Sequence, residues 1–121
     1  VILNALEDAR ATAADRKTSV YKFDAHEWIL NGDDFEQVCW WAGWDPEEVR
    51  LNYKKALKNQ AIIFLEKHLR WNDYTQMFKK LKSARDKESR KYLRSKVEEA
   101  RKKVMEARMV IVTTLFISIK V

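Results

Sequence analysis

The chain has 121 residues, with 24 Lys and Arg against 18 Asp and Glu, a net charge of +6. One Pro and two Gly leave few turn-forming positions, which excludes β-sandwiches, Greek-key barrels and other hairpin-rich folds. A single Cys excludes an internal disulfide framework and a cysteine-based structural zinc site.

With 46% apolar and 35% charged residues there is enough to bury, and the composition is that of a mainly α protein. No apolar run is long enough for a membrane-spanning helix. The first residues lack the layout of a signal peptide, and a start at Val1 rather than Met reads as part of a longer protein. The charge is uneven. Residues 1–48 carry 4 basic and 11 acidic side chains, a net of −7, and residues 49–108 carry 19 basic and 7 acidic, a net of +12. A strongly basic stretch behind an acidic one points to a polyanion partner, to contact between subunits, or to both.

Residues 1–14 place Ile2, Leu3, Leu6, Ala9 and Ala13 near helical spacing, so a short helix is expected there. Residues 15–23 are polar and irregular and read as a linker. Asp24, with Glu27 three residues on, has the spacing of a capping box and starts a helix that would bury Trp28 and Ile29. Asn31, Gly32 and Asp33 stop it and offer the next cap. Residues 34–42 form a second short helix with Phe35, Val38, Cys39 and Ala42 inward. Gly43 supplies a left-handed helix end without a Cβ penalty. At 45–48, Asp45 caps the next helix, Pro46 takes its first position and Glu48 closes a capping box. That helix runs through Val49, Tyr53, Ala56 and Leu57. It either continues into Ala61, Ile62, Leu65 and Leu69 or breaks near Lys58, Asn59 and Gln60.

Asn72 and Asp73 mark the next stop, and no Pro or Gly occurs from Tyr74 to Arg108. Met77, Leu81 and Ala84 make one apolar seam. Leu93, Val97, Ala100, Val104 and Ala107 make another at heptad spacing. The seams differ in register, so either the helix curves at 85–91 or two helices meet there.

Residues 109–121 are rich in β-branched side chains. Leu115, Ile117, Ile119 and Val121 alternate with Phe116, Ser118 and Lys120, the pattern of a β-strand. No other segment reads as a strand. A lone strand exposes unpaired backbone groups, so it must pair with copies of itself or with another protein. Copies in a closed ring leave no free edge, and a cyclic homo-oligomer is expected. The candidate oligomerisation contacts are Leu93, Val97, Ala100 and Val104 in the helical seam and Leu115, Ile117 and Ile119 in the strand.

Within 35–54, two short helices flank Gly43, with Val38, Ala42, Trp44 and Val49 as apolar anchors. This spacing fits a helix-turn-helix. Its second helix presents Arg50, Asn52, Lys54, Lys55 and Lys58. Arg and Asn can read base edges, and Lys more often holds phosphate. Glu47 and Glu48 at the tip of that helix would repel phosphate. Trp28, Trp40, Trp41 and Trp44 cannot all face one core. Trp28 and Trp44 are expected inside, with at least one of the others at a surface contact. There is no Gly-rich phosphate loop, Walker pattern or nucleophile elbow. His26 and His68 lie far apart, and Cys39 has no helpful His. No catalytic residue, metal-ligand set or cofactor is read, and no enzyme is expected.

A helix-turn-helix, then long basic helices with a coiled-coil-like seam, then one terminal strand: this order resembles the small terminase subunit of tailed bacteriophages. Residues 35–50 are also similar to a run in phage and prophage proteins, F-x-x-V-C-x-x-A-G-x-D-P-x-x-V-R. The resemblance implies a ring in the bacterial host cytoplasm that recognises double-stranded viral DNA, with its terminal strands forming a barrel. It also implies a partner, the large terminase ATPase and nuclease, which the ring regulates. The implied organisation is a DNA-binding region over 1–58, a helical oligomerisation region over 59–108 and the intersubunit strand over 109–121. The competing expectations are a dimeric helix-turn-helix transcriptional regulator and a virion structural or adaptor protein.

Overall fold

Asp15 opens the central helix of the fold. Its carboxylate accepts from the Thr18 amide at 3.1 Å and caps α2 (Arg16–Asn31). The computed structural model describes residues 1–113. Among these, α2 follows α1 (Ile2–Arg10) and precedes α3 (Phe35–Trp41), α4 (Pro46–Lys58), α5 (Glu66–Ser83) and α6 (Lys87–Glu106). α2 packs against α1, α3 and α5, while α3 packs on α4 and α5 on α6. The described residues are mainly α, and none of their helices is long and apolar enough to cross a membrane.

α2 corrects the linker expected at 15–23 and the cap expected at Asp24, which is an exposed residue inside the helix. Its buried face runs through Ser19, Lys22, Phe23, His26 and Ile29, a helical repeat written partly in polar residues. Partners inside the fold hold these polar side chains. Ser19 Oγ donates to Asp15 O at 2.8 Å, and His26 Nδ1 lies 2.6 Å from the Tyr53 hydroxyl.

Gly32 ends α2 by close approach, with an ordinary φ of −65°. A Cβ there would come within 2.5 Å of the Trp28 ring and carbonyl. After α4 the chain reverses at Gln60 (φ 60°), so the helix breaks where one of the two readings placed the break. Asn72 and Asp73 stop nothing. They sit inside α5, which continues because no Pro or Gly interrupts it.

Phe23, Ile29, Phe35, Cys39, Tyr53, Leu57, Ile62 and Phe64 form one buried cluster. Phe64 lies 4.9 Å from Phe23 and 5.2 Å from His26, ring to ring. The core therefore crosses the boundary expected at residue 58.

The connection between α1 and α2 is strapped down by distant side chains. Lys22 Nζ donates to Ala9 O at 2.5 Å and to Ala11 O at 2.7 Å. His68 Nε2 donates to Ala13 O at 2.8 Å and Trp71 Nε1 to Ala14 O at 2.9 Å. Lys22 is fully buried, and its ammonium meets the carbonyl end of α1 and the Phe64 ring at 4.6 Å. Burial pushes its amine down to about 8.

His68 gives the fold an acid limit. Its Nδ1 accepts from the Leu65 amide at 3.0 Å, so its single proton is on Nε2. Burial holds the imidazole below its ordinary 6.5. In the unfolded chain His68 takes up a proton as pH falls through 6.5, before the folded chain does. Stability contributed by neutral His68 is complete above that pH and is lost below it. Thermal melts from pH 7 to pH 5 are expected to show a falling midpoint, with a shallower fall in His68→Gln.

α5 and α6 form a hairpin. Asp86 accepts from the Ser89 amide at 2.9 Å and caps α6, so two helices meet at 84–86. Val97 and Val104 are buried, and Leu93 and Ala100 share their face with half exposure. The heptad seam is thus covered within the chain, against α5.

Beyond α6 the chain returns to the body. Val112 N donates to Phe64 O at 2.8 Å and Glu66 N to Val110 O at 2.9 Å, an antiparallel bridge at Leu65 and Ile111. Thr113 is buried, and its hydroxyl accepts from the Phe64 amide at 2.7 Å. Residues 64–66 thereby pair with the start of the tail, although they carry no strand pattern. The remainder of the expected strand, with Leu115, Ile117 and Ile119, lies outside the described residues.

Candidate nucleic-acid interface

α3 and α4 meet at a tight corner. Ala42 and Gly43 close α3, and Gly43 takes a φ of 80°, the left-handed value expected of it. Trp44 N then donates to Cys39 O at 2.9 Å. Asp45 caps α4 by accepting from the Glu47 amide at 3.0 Å, and Pro46 follows at the helix start. The box expected to Glu48 is replaced by this contact. Phe35 and Cys39 of α3 and Tyr53 and Leu57 of α4 face inward, while Ala42 is exposed. Burial pushes the Cys39 thiol up, away from a nucleophile.

Arg50 is engaged by the fold. Its Nε donates to Ile29 O at 2.8 Å, its Nη1 pairs with Glu36 at 3.2 Å, and its guanidinium lies 4.6 Å over the Phe35 ring. It ties α4 to the end of α2 and the start of α3. Arg50→Ala is expected to lower stability by about 1–2 kcal/mol, from the lost charged hydrogen bonds and stacking. Chemical denaturation measures that loss.

The other expected contacts fall on two sides of α4. Lys54, Lys55 and Lys58 are exposed, and the steps of four and three between them put them on one side with exposed Leu51. Asn52 points elsewhere: it lines a groove with Leu6 and Trp44. Trp28 is half-buried and donates to Asp34 at 2.6 Å. Trp44 corrects the expectation of burial: it is exposed, as are Trp40 and Trp41.

Charge lies more densely on α6. Lys87, Arg90, Lys91 and Arg94 share its outer flank, all exposed and without an ion-pair partner among the described residues. The sequence showed these cations but not their shared exposure, because that depends on which side of α6 meets α5. Among the described residues no cluster of His, Cys, Asp and Glu could hold a metal ion.

No protein family, curated protein or solved structure matches this chain.

Proposed function

We propose that the protein is a DNA-binding subunit of a homo-oligomeric ring that recognises phage DNA and regulates the large terminase during genome packaging in the host cytoplasm. We read the α3–α4 corner as a helix-turn-helix. The observation that carries the reading is the excess of exposed cations without carboxylate partners on α4 and α6. Lys54, Lys55 and Lys58 line the exposed side of the second helix, and Lys87, Arg90, Lys91 and Arg94 form a second exposed cationic cluster on α6. Such a surface displaces condensed counterions from duplex DNA, so binding must be salt-sensitive. Arg50 in this scheme ties α4 into the fold, and Asn52, turned to the groove beside Trp44, lies off the proposed DNA surface.

Titration of duplex DNA with the intact protein at rising salt tests the proposal. Tight binding at about 50 mM salt that weakens by orders of magnitude toward about 200 mM is the expected result. Absence of binding at the lower salt overturns the DNA reading. A two-fold dimer on a palindromic site would replace the ring with a transcriptional regulator.

A further inference from the structure

An apolar groove of about 460 Å³ opens between α1 and α4. Leu6, Val49, Ala56 and Ile62 line it, with Trp44 beside them and Asp45 and Glu48 as its exposed acidic edge. Just before it in the chain, Trp40 and Trp41 are 59% and 77% exposed. Three exposed Trp residues within five positions, one of them lining the open apolar groove, mark a surface built for contact. The carboxylates of Asp45 and Glu48 at its edge make it a poor seat for DNA and a good one for a cationic partner.

This chain carries a feature of matching chemistry. Met105 on α6 is 72% exposed, and Arg101 and Lys102, four and three residues before it, lie on the same side of the helix. An apolar tip flanked by two cations complements an apolar groove flanked by two carboxylates. We propose that the groove of one copy receives the Met105 side of α6 from a second copy. This names the contact through which copies join, and it rests on the ring reading above. The two surfaces are different patches, so the contact is head-to-tail. Head-to-tail contacts close into rings when the rotation between copies permits. It also gives the acidic front of the chain a partner in the basic helices of its neighbour.

Charge reversal tests the contact. Light scattering over a dilution series would compare the parent with Glu48→Lys, with Arg101→Glu/Lys102→Glu, and with the variant that combines all three changes. Every change is at an exposed position, and circular dichroism checks that each variant keeps its helices. Each reversal alone is expected to raise the concentration for half-assembly by at least about tenfold, because like charges then face each other. The combined variant is expected to recover most of the loss. Met105→Ser provides a charge-free arm and is expected to weaken assembly. Reversals that assemble like the parent, or a combined variant that recovers nothing, overturn the contact and leave the ring standing. A parent that stays monomeric overturns both.

Discussion

Phe64→Ala is expected to cost about 3–5 kcal/mol, a large part of the stability of a domain of this size. Phe64 is fully buried and is the residue on which three parts of the fold converge. Its ring packs on Phe23 and His26 of α2 and lies under the buried Lys22 ammonium. Its backbone amide and carbonyl hold Thr113 and Val112 at the start of the tail. Truncation leaves a cavity and also removes the apolar face beneath a buried charge. Urea denaturation followed by Trp fluorescence measures the effect. Trp41→Ala, at a surface position, is expected to stay within about 0.5 kcal/mol of the parent. Equal denaturation midpoints for Phe64→Ala and the parent would refute this account of the core.

Lys54→Gln/Lys55→Gln/Lys58→Gln is expected to give the largest functional loss. Each phosphate contact adds about 0.9 to the slope of log affinity against log salt concentration. Losing all three should flatten that slope by as much as about 2.7 and weaken binding at low salt by at least about tenfold. The side chains are exposed on α4, so the fold should be unaffected. An unchanged slope would move the DNA surface off α4. The same titration on Lys87→Gln/Arg90→Gln/Lys91→Gln/Arg94→Gln would then decide whether α6 carries it.

Local signals along the chain were legible where one residue determines the backbone. Gly43 takes its left-handed turn, Asp45 and Pro46 start α4, and α3 buries Phe35 and Cys39. The α2 start was missed because Ser19, Lys22 and His26 look like surface residues until their partners are known. Those partners include Ala9, Ala11 and Tyr53, and no local pattern announces them. The stop at Asn72 and Asp73 failed because cap residues inside a helix are tolerated when tertiary packing carries the helix onward.

The candidate site divides in the same way. The lysines of α4 were visible as a basic helix face. Arg50 could not be distinguished from them, since its role depends on Ile29, Phe35 and Glu36 meeting around it. The heptad seam of α6 was visible, but its partner was not. A helix from the same chain covers it, so the proposed assembly would draw on other surfaces. The groove beside Trp44 had no sequence signal beyond the unusual density of Trp.

Assembly is the central claim, and the mass of the 121-residue chain in solution tests it most directly. Native mass spectrometry at micromolar concentration should show one closed species of more than two copies, at an integer multiple of 14.4 kDa. A monomer under those conditions would contradict the account.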